Sequence, residues 1–236
     1  SLGDMTGPWQ LFVDDFVIAD QSIVTRTYHA FEKHADNPVA RVGGWMPGGR
    51  GTILPKADGT GWIRFASRRA TVASPDLIQW GDRKSADPEA EGSGVSVIHT
   101  PWDRGREYKM VTYQKGPSNL FTTFHGYTST DGVSAWMPLE TNPLMYARAD
   151  TLQFGWDPLR KRYFGTMKIW TDVRGVMRRC VGLTTSKRFD TGWSPAQMIL
   201  IPDTDDDRWA TEPAQRSDFY CFSMFAYETM YLGLLE

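Results

Sequence analysis

Two aspartates hold matching places in this chain. Asp150 opens an alternating run that turns at Asp157 and Pro158 and returns at Tyr163; Asp218 opens a run whose return begins at Tyr231. Each acid stands 13 residues before its tyrosine. Carboxylates at equivalent positions of two repeats can face one cavity, where one carboxyl carries a proton for a leaving oxygen and the other acts as base or nucleophile. Repulsion between them separates their pKa values, which is the requirement for cleaving a glycosidic bond. The competing assignment is structural: each Asp caps the start of its strand through backbone bonds.

Positioning such a pair requires a repeat, and the sequence contains one. Three units each carry a strand, a polar turn with an acid (Asp58, Asp103, Asp157) and an aromatic-led strand (Trp62, Tyr108, Tyr163). A third strand follows in each, ending in a serine turn closed by Trp80, Trp136 or Trp193. The turn acids lie 45 and 54 residues apart. That period, with short strands and no helical pattern, predicts an all-β fold of propeller type. Blades are expected over 45–86, 92–145 and 148–203, a fourth starts in 214–236, and 1–44 supplies N-terminal strands and a linker. The chain thus holds about three and a half blades and is an incomplete ring. Stretches 86–94 (ADPEAEGSG) and 202–207 (PDTDDD) read as surface loops. Ser74 with Asp76, Ser129 with Asp131, and Ser186 ahead of Phe189 are scaffold, bonding their own backbone in tight connections.

The starts of the innermost strands of a propeller converge on a funnel. Counting back 13 residues from Tyr108 and Trp62 reaches Val95, flanked by Ser93 and Ser96, and Gly49, beside Arg50. The expected funnel holds Arg50, Ser93 or Ser96, Asp150 and Asp218, with Gln153 and Tyr220 deeper. Arg50 suits an ionised carboxylate or a substrate hydroxyl, and Trp45 is read as a further substrate contact. Asp14 and Asp15 sit in an alternating run over 7–20, either on a water-facing edge strand or with one acid aimed into a polar site. Glu212, in the loop WATEP, is an acid able to reach over the funnel, whereas Glu228 falls on a hairpin turn and reads as structural.

Composition narrows the partners. Lys and Arg total 26 against 28 Asp and Glu, a net charge of -2 that gathers neither nucleic acid nor an anionic membrane. Aromatics at 13%, with ten Trp, suit packed strand layers first and flat sugar faces second. Cys180 and Cys221 form no metal or CxxC spacing and read first as small buried hydrophobes, second as a disulfide pair, and no two histidines have ligand spacing. No apolar run has the length of a membrane span, and a signal peptide removed ahead of residue 1 is one expectation.

The runs LFVDDFVIAD (11–20), TRTYHAFEKHADNPV (25–39), ADTLQFGWDPLRKRYFGTMK (149–168), TSKRFDTGWSP (185–195) and YETMYLGLLE (227–236) together resemble the glycosidase-like five-bladed β-propeller proteins of environmental bacteria. Those proteins are distant relatives of the arabinanase, fructosidase and levansucrase group. The resemblance implies a funnel with three acids: a nucleophile or base, a transition-state stabiliser, and a general acid. Asp150 matches the acid opening a middle blade, and Asp15 or Asp14 is the N-terminal candidate. Where fructosidases carry a Trp-Met-Asn-Asp-Pro type motif, this chain has WMPGGR over 45–50, without a carboxylate. Some propeller glycosidases also hold an ion in the channel, although nothing in this chain demands one and no cofactor is expected.

Two readings follow. The first is a secreted or periplasmic hydrolase of oligo- or polysaccharide with Asp150 and Asp218 as acid and base, and Arg50, Trp45, Gln153 and Tyr220 as substrate contacts. The second is a non-catalytic propeller that binds a glycan or a protein.

Overall fold

The computed structural model describes residues 15, 18, 20–37, 39, 51–67, 70–82, 84–85, 93–116, 121–134, 136–150, 152–212, 215–228 and 230–236. Among them are fifteen strands and no helix. The first sheet runs β1 (Thr52–Pro55), β2 (Trp62–Ser67), β3 (Ala70–Ser74), β4 (Lys84–Ser85). The second runs β5 (Ser93–His99), β6 (Tyr108–Lys115) and β7 (Thr122–Ser129), whose far edge is shared by β8 (Met137–Pro138) and β9 (Met145–Ala147). The third runs β10 (Leu152–Asp157), β11 (Arg162–Val173), β12 (Val176–Ser186), β13 (Gln197–Leu200). A last hairpin pairs β14 (Phe222–Tyr227) with β15 (Met230–Leu235). The first strands β1, β5, β10 and β14 lie side by side, so the sheets fan about a common axis. This is a β-propeller arrangement, with three blades and half of a fourth among the described residues.

Strand β6 shows why the sequence folds this way. It reads YKMVTYQK, and Tyr108 to Tyr113 are all buried, as a strand covered on both faces must be. Alternate residues serve different interfaces. Tyr108 and Met110 join Phe65, Val97, Tyr127 and Trp136 against the first blade, while Val111 and Tyr113 join Ile98, Phe124, Phe154 and Met167 against the third. Burying side chains of this size stabilises by about 1.5–3 kcal/mol each. The last two hairpins also share a packing detail. Phe154 covers Gly165 and Phe222 covers Gly233, where an added Cβ would lie 2.9 and 2.3 Å from ring carbons.

The serine turns form as their spacing predicts. Ser74 Oγ accepts from Leu77 N at 2.8 Å, and Asp76 accepts from Ile78 N and Gln79 N at 2.9 and 2.7 Å. Ser129 and Asp131 repeat the pattern on Gly132, Val133 and Ser134. In the third blade Ser186 donates to Thr191 O at 2.6 Å, and the Trp193 indole donates to Phe189 O at 2.9 Å. Cys180 and Cys221 are free thiols.

Adjacent first strands share no ladder among the described residues, so their backbone groups need side-chain partners. Thr52 Oγ1 accepts from Val97 N at 2.9 Å. Buried Ser96 accepts from Phe154 N at 2.7 Å and donates to Phe154 O at 3.0 Å. The Gln153 amide repeats this on Met224, accepting from N at 2.7 Å and donating to O at 3.2 Å. At the opposite end of these strands, the Tyr231 hydroxyl meets both oxygens of buried Asp157 at 2.9 and 2.8 Å. Burial and that carboxylate both push the Tyr231 phenol up.

Removing the Ser96 hydroxyl strands a buried N–H and a buried carbonyl, so Ser96→Ala is expected to cost about 1–3 kcal/mol, read from the urea midpoint. A second expectation concerns acid. Burial pushes the Asp131 carboxyl up, but bonds from Ser134, Val133 and Ser129 outweigh it and bring the pKa from 3.8 to about 2. A carboxyl held below its unfolded pKa contributes fully above the unfolded value and loses that contribution as pH falls towards the native one. Stability is therefore expected to decline between pH 3.8 and about 2, less steeply in Asp131→Asn. Superimposable profiles of Tm against pH would remove Asp131 from that decline.

Candidate functional site

The candidate cleft opens at the end of the propeller where the first strands begin, between the second and third blades. Strand β9 pairs with the start of β7, Thr122 opposite Ala147, and so delivers the chain to Arg148 and Asp150 just ahead of β10. Strand β11 runs antiparallel to β10, and its far half returns to the same end with Lys168 and Trp170. Those two residues are spaced i and i+2 and so project to one side of the strand. Lys115 ends β6 and Phe121 precedes β7. Lys115, Phe121, Arg148, Asp150, Lys168 and Trp170 line a cleft of about 300 Å³.

Charge organises its floor. Lys168 Nζ lies 2.6 Å from Asp150 Oδ1, with the lysine side chain 7% exposed and the aspartate 32%. The same ammonium sits 5.5 Å from the Trp170 ring centre and 5.2 Å from that of Tyr220. Arg179, directly across the ladder from Trp170, lies against the same two rings at 4.6 and 5.2 Å. Cations over aromatic faces gain about 0.5–2 kcal/mol, more as they are desolvated. Arg179 then holds Asp218: its guanidinium donates to Oδ2 at 2.6 Å and its backbone N to Oδ1 at 3.0 Å. The two aspartates expected to work as a pair are thus each joined to their own cation, with Trp170 and Tyr220 between those cations.

Several residues singled out from the sequence have partners elsewhere in the scaffold. Asp218 docks onto β12, each of its oxygens accepting one bond from Arg179. Gln153 spends its amide on Met224 rather than on a substrate. Ser96 ties β5 to β10. Tyr220 lies against Lys168 and Arg179 but does not line the cleft. Asp15 is exposed and pairs with Arg26 at 2.5 Å. Glu212 is exposed in a loop organised by Gln215, which accepts from its backbone N at 3.1 Å. Asp14, Trp45 and Arg50 lie outside the described residues. Among the described residues, no group of three His, Cys, Asp or Glu is arranged to hold a metal ion.

Lys115, Arg148, Lys168 and Trp170 were not anticipated. The one available signal was a cation near each end of the 149–168 hairpin, and strict alternation argues against pairing it with Asp150. The ladder between β10 and β11 ends at Leu152 opposite Met167. Asp150 lies beyond that last pair, where alternation no longer fixes the direction of its side chain.

No protein-family model matches the chain, and no curated protein matches it. Among solved structures it is similar to the α-L-arabinofuranosidase of Podospora anserina in complex with cellotriose, at 11% identity and a TM-score of 0.46. It is also similar to the catalytic domain of an α-L-arabinofuranosidase from Coprinopsis cinerea, at 12% identity and a TM-score of 0.45. Both alignments cover 74% of this chain and 58% of the other, so the chain spans less than two thirds of the length of either structure. The site described above rests on its own geometry.

Loss of the Asp218 cap leaves Arg179 without its carboxylate, so Asp218→Ala is expected to lower stability by about 1–3 kcal/mol. A variant that keeps its denaturant midpoint yet loses function at the cleft would return Asp218 to the site.

Proposed function

We propose that this chain is a carbohydrate-active protein of glycosidase type, with Asp150 as the carboxylate that acts on the sugar. The observation that carries the reading is an ion-paired carboxylate facing a concave cleft walled by aromatic rings. Trp170 and Phe121 offer flat apolar surface to the faces of a sugar ring. Lys168, held by the rings beneath it, keeps Asp150 in a fixed place, and an ion-paired carboxylate serves as base or nucleophile rather than as proton donor. The proton donor is then a second acid, for which Asp14 and Glu212 are the candidates from the sequence, since Asp15 is itself paired with Arg26. The substrate is an oligo- or polysaccharide, in keeping with a secreted or periplasmic setting.

The test is release of reducing sugar from a polysaccharide panel. Asp150→Asn keeps an acceptor for Lys168 and is expected to reduce turnover by about 10²–10⁴-fold with the fold intact. Undiminished turnover in that variant would remove Asp150 from the chemistry. Of Asp14→Asn and Glu212→Gln, the one that removes the proton donor is the one whose lost turnover is rescued on aryl glycosides with acidic leaving groups. The second reading, a glycan-binding propeller without turnover, is favoured by one observation: both paired aspartates are already engaged by cations. It predicts retention of the same panel with no release of product.

A further inference from the structure

We propose that the cleft selects a sugar bearing an anionic group, a carboxylate or a sulfate, which Lys115 and Arg148 bind. The inference rests on the reading of the cleft as a sugar site and adds the chemical class of its ligand.

Among the described residues, four charged side chains line the cleft, Lys115, Arg148, Lys168 and Asp150, so three cations face one carboxylate. Lys168 is matched by Asp150 at 2.6 Å. Behind them, Arg179 is matched by Asp218, also at 2.6 Å. Lys115 and Arg148 are left, both exposed, and neither has an ion-pair partner among the described residues. The cleft therefore carries a local positive excess on a chain whose net charge is -2. Like charges converging on one concavity repel each other and attract an anion into it.

Hydrogen-bonding capacity points the same way. Lys and Arg are donors only. Apart from Asp150, already paired with Lys168, the Thr122 hydroxyl is the one side chain among the described lining residues able to accept. A neutral sugar presents hydroxyls that donate as well as accept, and this cleft offers them few acceptors. A carboxylate or sulfate only accepts, and the guanidinium fork of Arg148 suits two of its oxygens at once. Phe121 and Trp170 remain for the ring. A whole-chain charge near neutrality argues against a long polyanion; a short acidic oligosaccharide, or the acidic end of a longer one, fits a cavity of about 300 Å³.

The experiment is calorimetric titration of the full chain with oligosaccharides of several linkages, each supplied in neutral, uronate and sulfated forms. The anionic forms are expected to bind about tenfold or more tightly than their neutral counterparts, and to weaken as salt rises. The double variant Lys115→Ala, Arg148→Ala should abolish that preference, and the charge-keeping double variant Lys115→Arg, Arg148→Lys should retain it. Preference for the uronate forms alone assigns a carboxylate, and preference for the sulfated forms alone assigns an ester. Equal binding of neutral and anionic forms, or a preference that survives the alanine variant, overturns the inference and leaves the sugar site standing. Binding by no member, or binding indifferent to Trp170→Ala, overturns both the inference and the reading beneath it.

Discussion

Among the described residues, the first strands of this propeller meet at the axis without a ladder between them, and every buried amide there still requires a partner. Thr52, Ser96 and Gln153 meet that requirement, each lending a side chain to the backbone of the next blade. The polar residues of the inner strands are therefore spent on holding blades together. That constraint decides where chemistry can happen: depth along the channel belongs to the scaffold, and free side chains occur at the rim, where strands have not yet begun or have already paired. Asp150, two residues ahead of β10, is such a residue.

The rim is organised electrostatically. Asp150, Lys168, the Trp170 and Tyr220 rings, Arg179 and Asp218 form one continuous run of contacts drawn from β11, β12 and the segments before β10 and β14. Removing a lysine as buried as Lys168 from water is tolerable only with an opposite charge and polarisable faces around it. The aromatic layer does this for two cations at once. It leaves one end of the run, Asp150, open to the cleft, and closes the other on the backbone of β12.

The features legible in the sequence were those with local causes. The serine turns could be read because Ser74, Asp76, Ser129 and Asp131 bond amides two or three residues away, so spacing alone describes them. The hairpins led by Tyr163 and Tyr231 could be read because register follows from a turn and an alternating run. What spacing could not give was direction. Asp150 and Asp218 are equivalent by count, yet the first follows β9 into a cleft while the second docks sideways onto Arg179, a residue 39 positions earlier. Gln153 likewise has the right depth for a substrate contact, and only the position of Met224 reveals its occupation. The cations of the cleft come from three separate stretches of chain that no motif unites.

Blades that touch only their neighbours transmit stability like links in a one-dimensional chain. The last link, β14 with β15, is fastened by Gln153, Thr166 and the Asp157 contact of Tyr231. It brings Tyr220 and Asp218 with it. Fraying of that hairpin would take a ring from Lys168 and the acid from Arg179 together, so the order of the cleft depends on a hairpin that does not line it.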